Sequence, residues 1–308
     1  MKRKFLRVGT RGSKLALAQT EWVISNLKKY YPDLEIEKVI IKTTGDKILD
    51  APLSKIGGKG LFVKEIEEAL LRGEIDFAVH SMKDVPSQIP IGLEVSIIPE
   101  RESPFDVWIS EYDFFQKVPS SGKVGTSSLR RLSQLKRLRR DIKIEPLRGN
   151  VDTRLRKWKE GLYDGIVLAE AGLKRLGIEI NYRRFTLEEM VPAVGQGALG
   201  IEIRSDDEEV RELLRVLHSE KTALAVMAER AFLKTMEGGC QVPLGAYAYF
   251  QNGELIIIGF ISDLESERFY KMSFKGLPSE AERLGIALAK ELLKRGGEEI
   301  LKELYGET

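Results

Sequence analysis

The sequence predicts an α/β protein that ends in a smaller α+β unit. Strand-like and helix-like segments alternate from Phe5 to about residue 204, with glycine-containing turns between them, and this alternation is typical of sheets covered by helices. Beyond Ser205, two helical segments precede three strand-like ones, and Asn252-Gly253 indicates a hairpin between the first two strands. A chain of 308 residues is long enough for two or three domains.

The first strand-to-helix junction predicts an anion site. Phe5 to Val8 has the pattern of a strand, and Lys14 to Tyr30 that of a helix with Ser13 as its N-cap. A helix N-terminus presents unpaired amide groups and the positive end of the helix dipole, and Arg11 adds a charge there. A plain turn with a solvated arginine fits this segment equally well.

A polar, glycine-containing stretch follows the next predicted strand, Leu34 to Ile41. It runs from Thr43 to Gly60 and carries Lys55 and Lys59. This composition is typical of a mobile loop over a charged ligand, but also of a disordered surface loop. The G-x-x-x-x-G-K-[ST] spacing of a phosphate-binding Walker loop is absent. A helix is predicted from Phe62 to Arg72.

A polar cluster follows the predicted strand Asp76 to His80. Ser81, Lys83 and Asp84 come at its carboxyl end, which is the edge where open α/β sheets place ligands. Adjacent charges such as Lys83 and Asp84 also occur as solvated surface pairs. We expect His80 itself to be a hydrogen-bonded core residue.

The segment from Arg130 to Lys159 is strongly basic. Twelve Lys or Arg residues stand against three acidic ones, a local net charge of +9 in a protein whose net charge is +2. Such a block implies an acidic ligand or a nucleic acid, but Trp158 is its only aromatic residue, which argues against stacking of single-stranded nucleic acid. A solvated helix face explains the charges from Lys136 to Arg140. It explains Arg148 and Arg154 less well, because both follow a predicted strand end.

Glycines mark one further segment. Gly195 to Gly200 matches G-x-G-x-x-G, but the predicted strand Ile201 to Ile203 that follows it argues against a dinucleotide site, which requires a helix there. These glycines indicate a hinge or a close approach of the backbone to a ligand.

Cys240 is the only cysteine. Gly238-Gly239 before it and Val242-Pro243 after it indicate a tight loop. A lone cysteine is most often a small buried residue. A nucleophile or attachment point is the alternative, and Asp84 with Lys83 supplies acid–base candidates.

Composition excludes several classes of protein. A single cysteine rules out an intrachain disulfide and suits a reducing cytosol. The sequence has no signal-peptide pattern and no apolar run long enough to span a membrane. Two histidines far apart suggest neither a metal site nor a Ser-His-Asp triad.

Six stretches, in order, resemble the hydroxymethylbilane synthase (porphobilinogen deaminase) family, and together they span essentially the whole chain. They are GTRGSKLA (9–16), HSMKDVP (80–86), VGTSSLRR (124–131), LRGNV (147–151), PAVGQGALG (192–200) and GGCQVPLG (238–245).

The resemblance implies a transferase of tetrapyrrole biosynthesis, the route to porphyrin and heme. Such an enzyme joins four porphobilinogen molecules head to tail, releases ammonia at each step, and frees hydroxymethylbilane with water. One dipyrromethane cofactor per chain, bound as a thioether to Cys240, would prime this growth. Every pyrrole carries an acetate and a propionate, which accounts for the arginine surplus.

The resemblance also implies roles for individual residues. Asp84 would be catalytic, accepting hydrogen bonds from pyrrole N–H groups and stabilising the cation formed as ammonia leaves. Lys55 and Lys59 would lie on an active-site lid, and no metal would take part. The implied cofactor- and substrate-binding residues are Arg11, Ser13, Ser81, Lys83, Thr126, Ser128, Arg130, Arg131, Arg148, Arg154, Arg175 and Gln196.

The implied fold has two domains like those of type II periplasmic binding proteins, joined by two crossover hinge strands near Pro99 and Gly200. A C-terminal α+β domain with a three-stranded antiparallel sheet follows. Domain 1 would comprise residues 1–99 and 200–219, domain 2 residues 100–199, and domain 3 residues 220–308. We expect a cytoplasmic monomer that acts on the small molecule porphobilinogen and binds neither nucleic acid nor membrane.

The chain departs from the family at one place. After the first crossover the family usually shows R-x-D-P-R-D, whereas this chain has Ser103 and Phe105 at the first Asp and the second Arg. Any contact made by that Arg is therefore in doubt. The rival interpretation is a non-enzymatic bilobal anion-binding or ligand-sensing protein, which would need neither Cys240 nor Asp84.

Overall fold

The computed structural model describes residues 3–47, 63–236 and 242–306, which form two compact units. The first unit comprises the described residues up to 102 together with 197–223, and the second comprises 103–196 and those from 224 onward. The chain thus passes between the units after Glu102, after Gln196 and after Ala223. The division into three domains at the boundaries given above stays a prediction.

The secondary structure follows the predicted alternation. The strands are β1 (Phe5–Thr10), β2 (Glu35–Ile40), β3 (Phe77–Ser81), β4 (Leu93–Ile97), β5 (Asp106–Ser110), β6 (Lys123–Gly125), β7 (Lys143–Glu145), β8 (Gly165–Ala169), β9 (Arg183–Arg184), β10 (Leu199–Arg204), β11 (Leu244–Gln251), β12 (Glu254–Ser262) and β13 (Phe269–Gly276). The helices are α1 (Lys14–Tyr30), α2 (Thr44–Lys47), α3 (Lys64–Leu71), α4 (Leu129–Leu138), α5 (Val151–Lys159), α6 (Glu170–Arg175), α7 (Glu208–Leu214), α8 (Glu220–Thr235), α9 (Ala281–Leu292) and α10 (Glu298–Tyr305).

The first unit is built on a five-stranded sheet of order β2-β1-β3-β10-β4. Strands β2, β1 and β3 are parallel, and β10 is antiparallel to both of its neighbours. Val23 and Leu27 on one face of α1 are fully buried and share an apolar core with Leu6, Val8 and Phe77 of the sheet. This packing fixes the N-terminus of α1 at the carboxyl edge of β1.

The second unit contains a sheet of the same topology, β7-β6-β8-β5-β9. Strands β7, β6 and β8 are parallel, and β5 is antiparallel to both of its neighbours. Trp108, Phe115 and Val124 form part of its core. The antiparallel strand occupies the fourth position in both sheets.

The second unit also contains the antiparallel sheet β11-β12-β13. Asn252 and Gly253 have positive φ values of 51° and 83°, as a two-residue type I′ hairpin turn requires. Phe232 of α8 and Leu288 of α9 lie in the core on this sheet. The predicted class, two similar α/β halves and a C-terminal three-stranded antiparallel sheet, is confirmed.

Among the described helices, none combines the length and apolar character that crossing a bilayer requires.

Candidate functional site

In the first unit, the turn after β1 brings a cation and a hydroxyl group to the start of α1. Ser13 caps the helix, because its Oγ accepts a hydrogen bond from the backbone N of Ala16 at 3.2 Å. The side chain of Arg11 is half-buried one residue after the strand ends. The predicted strand–turn–helix arrangement is present, and it favours an anion.

The polar residues after β3 lie at the same edge of this sheet. Strands β1 and β3 pair in parallel, with Val8 opposite Phe77, so their carboxyl ends point the same way. Ser81 ends β3, and a 3₁₀ turn then carries Lys83 and Asp84, whose side chains are exposed. The fold therefore collects at one sheet edge five predicted site residues of this unit, namely Arg11, Ser13, Ser81, Lys83 and Asp84.

His80, Glu202 and Glu67 are among the buried titratable residues of the same unit. His80 Nε2 lies 2.9 Å from Glu202 Oε2, and both residues are buried. The expectation that His80 is a hydrogen-bonded core residue is thus confirmed. Burial and, to a smaller extent, the charge of Glu202 raise the pKa of nearby Glu67 to about 7.

In the second unit, hydroxyl groups organise the start of α4. Ser128 caps this helix by accepting from the backbone N of Arg131 at 3.4 Å. Thr126 Oγ1 in turn accepts from the backbone N of Ser128 at 3.2 Å, and the side chain of Thr126 is buried. The predicted helix start is confirmed, and the hydroxyl oxygens already serve as acceptors for this turn.

Arg130 and Arg131 are buried around one carboxylate. Asp106 lies at the start of β5, fully buried, 2.7 Å from Arg130 Nη1 and 2.7 Å from Arg131 Nη2. Burial opposes ionisation of Asp106, but the two positive charges outweigh it and lower its pKa to about 2. Arg130 Nη1 also donates to the Val191 carbonyl at 2.8 Å, and Arg131 Nη1 to that of Val167 at 3.0 Å.

Several hydrogen-bond donors of these two arginines are thus directed at groups of the protein itself. Their role as ligands of substrate carboxylates stays a prediction.

A second group of arginines has a different character. Gly149, with φ of 110°, turns the chain into α5 between Arg148 and Arg154, and Arg154 Nε donates to the Gly149 carbonyl at 2.8 Å. Among the described residues, no carboxylate pairs with Arg154. Burial, together with the positive charges of Arg131 and Arg148, lowers the pKa of Arg154 to about 10. Arg131, Arg148 and Arg154 form an electropositive group, which we call the arginine cluster.

Gln196 connects the glycine segment to the buried arginines. Its side chain is 1% exposed, its Nε2 donates to the Pro104 carbonyl at 2.6 Å, and its Oε1 accepts from Arg130 Nη2 at 3.4 Å. Strand β10 (Leu199–Arg204) contains the predicted strand Ile201 to Ile203. The G-x-G-x-x-G match therefore does not open a helix, as a dinucleotide-binding motif would.

Four predicted site residues remain to be located. Arg175 is the half-buried last residue of α6. Cys240, Lys55 and Lys59 lie outside the described residues. The described part of the chain contains no cluster of three or more His, Cys, Asp or Glu side chains that could hold a metal ion.

The family departure is accommodated locally. Ser103 Oγ donates to Oε2 of the buried Glu170, whose Oε1 accepts from Arg184 Nη2 at 2.7 Å. The Arg184 guanidinium also lies 4.9 Å from the ring centroid of Phe105, a cation–π distance. Both departing residues therefore contact the Glu170–Arg184 pair.

The sequence interpretation missed the buried acids Asp106, Glu170 and Glu229. A signal existed for two of them. Asp106 heads the apolar strand β5, and Glu229 aligns at helical spacing with Ala225 and Phe232, which are buried. An acid on an apolar face indicates a buried partner.

Comparison with known proteins decides the family. The family model "Porphobilinogen deaminase, dipyromethane cofactor binding domain" matches residues 6–212, and "Porphobilinogen deaminase, C-terminal domain" matches residues 223–294. The chain belongs to the porphobilinogen deaminase family. The porphobilinogen deaminase of Geobacter sulfurreducens is 52% identical over 301 residues, which cover 97% of this chain and 95% of the relative. That of Syntrophobacter fumaroxidans is 50% identical over 304 residues, covering 98% of both chains.

A solved structure is also similar. The periplasmic aliphatic sulphonate binding protein of Escherichia coli has a TM-score of 0.39 and 16% identity, covering 77% of this chain and 71% of that one. A likeness this distant carries no information about the ligand of this chain.

Membership of the porphobilinogen deaminase family makes this chain an enzyme, a transferase of tetrapyrrole biosynthesis with a dipyrromethane cofactor-binding domain. The predicted family, reaction class and cofactor are confirmed. The rival interpretation as a non-enzymatic binding protein is not favoured.

Proposed function

We propose that this chain joins four porphobilinogen molecules head to tail onto a dipyrromethane attached to Cys240, and that water then releases the linear tetrapyrrole. The observation that carries the proposal is the arginine cluster. Arg154 is buried beside Arg131 and Arg148, and burial first, then the positive charges of these two neighbours, disfavour its protonated form and lower its pKa. A bound carboxylate would remove that repulsion, because an opposite charge favours the protonated guanidinium.

The residues present fit a carboxylate-bearing group such as dipyrromethane. Arginine donates two parallel hydrogen bonds to a carboxylate, and Arg148 and Arg154 flank the start of α5. In the first unit, Arg11 and Lys83 supply further cations at one sheet edge. When bound, the dipyrromethane supplies the pyrrole carbon to which the first substrate molecule is joined.

Asp84 is the proposed catalytic residue. In each addition, the carbon–nitrogen bond of porphobilinogen breaks, ammonia leaves, a carbon–carbon bond forms and a pyrrole carbon loses its proton. Positive charge develops on the substrate as ammonia leaves, and an exposed carboxylate at the sheet edge can accept pyrrole N–H hydrogen bonds and stabilise that charge. The same carboxylate can then accept a proton.

Three further features belong to the proposal. The single cysteine suits a reducing cytoplasm. Growth on a primer fixed to the same chain requires no second subunit, so we propose that the enzyme works as a monomer. Light scattering after size-exclusion chromatography measures the oligomeric state directly. Lys55 and Lys59 are assigned to a lid over the growing product.

Substitution of Arg154 by Gln is expected to lower kcat/KM for porphobilinogen about 10- to 100-fold, because a hydrogen bond to a charged group contributes about 1.5–3 kcal/mol. The free energy of unfolding should stay the same or rise, because the variant removes a partly desolvated cation from beside two others. Steady-state kinetics and urea unfolding measure the two quantities.

The matched control is Arg156→Gln on the same helix. Arg156 is exposed and pairs with Glu160 at 2.7 Å, so its loss should leave kcat/KM within about twofold of the wild type, since exposed ion pairs contribute little. An Arg154→Gln variant with unchanged kinetics, or with activity and stability falling together, would contradict the assigned role.

A further inference from the structure

Glu229 is a buried carboxyl group that the reaction proposed above does not use. It lies on α8 with 0% of its surface exposed. Its Oε2 accepts from the backbone N of Gly195 at 2.7 Å, and its Oε1 accepts from the backbone N of Ala248 at 2.8 Å. A buried carboxyl group is costly unless hydrogen-bonded, and two backbone amides offset that cost.

These contacts join the two elements that flank Cys240 along the chain. Helix α8, which carries Glu229, ends at Thr235, before the cysteine, and β11 begins at Leu244, after it. Among the described strands β11 pairs only with β12, so the amide of Ala248 that faces Glu229 lies on the outer edge of the sheet. One side chain therefore ties the helix before the cofactor cysteine to the strand after it.

The other contact reaches the segment that holds Gln196. Gly195 has φ of 71°, a conformation that glycine adopts without strain and other residues rarely adopt. Glu229 fixes the amide of Gly195 at this turn, and the next residue, Gln196, contacts Arg130 at 3.4 Å and the Pro104 carbonyl at 2.6 Å. Hydrogen bonds on either side of the Gly195–Gln196 peptide bond thus connect α8 to Arg130.

Packing alone does not require a carboxylate here. Apolar residues of similar volume often hold buried elements together as well as charged ones do. A carboxylate supplies something different, namely two acceptors in a fixed direction for two amides from separate segments.

We propose that Glu229 is a positioning residue of the reaction, which holds the helix and strand flanking Cys240 in register with Gln196 and Arg130. The inference rests on the proposed function, because it assumes that Cys240 carries the growing product. Misplacement of a reacting group by about 1 Å can cost on the order of 100-fold in rate. Substrate affinity should change less, because Arg130 keeps its own contacts with Asp106 and the Val191 carbonyl in the Glu229 variants.

The test compares Glu229→Gln with the wild type. The amide NH₂ of Gln cannot accept a hydrogen bond, so one of the two backbone contacts is lost. We expect kcat to fall about 30- to 100-fold while KM for porphobilinogen changes less than about threefold. Intact mass should still show the dipyrromethane adduct. Glu229→Asp, which keeps both acceptors on a shorter side chain, should recover part of kcat, and it takes the place of Glu229→Gln if that variant does not fold.

The matched control is Glu189→Gln. Glu189 also lies in the second unit and accepts from the backbone N of Thr186 at 2.9 Å and from Arg183 at 2.7 Å, outside the candidate site. Two results would overturn the proposal. One is a kcat of Glu229→Gln within threefold of the wild type. The other is a kcat of Glu229→Gln that falls no further than that of Glu189→Gln when the two variants have the same melting temperature. Wild type without adduct or turnover would instead refute the proposed function.

Discussion

Asp84→Asn is expected to lower kcat about 10²- to 10³-fold with little change in KM. Removal of one group that stabilises transition-state charge typically has an effect of this size. Asparagine keeps the shape of the side chain and can still accept a pyrrole N–H bond, but it carries no negative charge to oppose the cation formed as ammonia leaves. Because Asp84 is exposed on a short turn, the variant should fold like the wild type.

The measurement is the rate of porphobilinogen consumption at saturating and limiting substrate. Asp33→Asn serves as the control, since Asp33 is also exposed in the first unit, between α1 and β2, and should leave the kinetics unchanged. If Asp84→Asn retained a third or more of the wild-type kcat, Asp84 would not be the residue that stabilises the developing charge.

Asp106→Asn should have the largest effect on stability. Asp106 is fully buried and binds two buried arginines at 2.7 Å, and removing one partner of a buried ion pair costs about 3–5 kcal/mol because the opposite charge is left uncompensated. Urea unfolding measures the loss. Asp113→Asn, which breaks an exposed pair with Lys117, is the control and should cost about 0–1 kcal/mol. An Asp106→Asn loss no larger than that of the control would show that the arginines do not depend on Asp106.

The interaction of Asp106 with the two arginines also makes the free energy of unfolding depend on pH. The pKa of Asp106 is lowered from 3.8 in the unfolded chain to about 2 in the fold. A carboxyl group whose pKa is lowered by folding stabilises the fold at pH values above its unfolded pKa. This contribution is lost as pH falls through the folded pKa, which for Asp106 means a loss of about 2 kcal/mol between about pH 4 and pH 2. The stability of Asp106→Asn should lack this component.

The fold was largely predictable because local signals agree with packing. Ser13 caps α1 and its helix spans the predicted Lys14–Tyr30, and Asn252-Gly253 forms the predicted hairpin turn. Strand β9 was not predicted, because it consists of Arg183 and Arg184 alone and no alternation of apolar residues marks it. It exists through pairing with Val107 and Trp108 of β5, which is a tertiary effect.

The candidate site was predictable in its composition but not in its internal pairing. Motifs located Arg130 and Arg131 at the start of α4, but no local signal shows that both bind Asp106, 24 residues earlier in the chain. Glu229 likewise meets Gly195 only through the fold. Long-range pairing of buried charges depends on which segments the sheets bring together, and a single sequence does not encode that locally.

The central claim is that Cys240 carries a covalent dipyrromethane onto which porphobilinogen is joined. The most direct test is the intact mass of the wild-type protein and of Cys240→Ser, both purified from a host that supplies porphobilinogen. The wild type should exceed its sequence mass by one dipyrromethane unit per chain, and the variant should show its sequence mass alone. A folded wild type without the adduct, or an adduct that persists in Cys240→Ser, would contradict the claim.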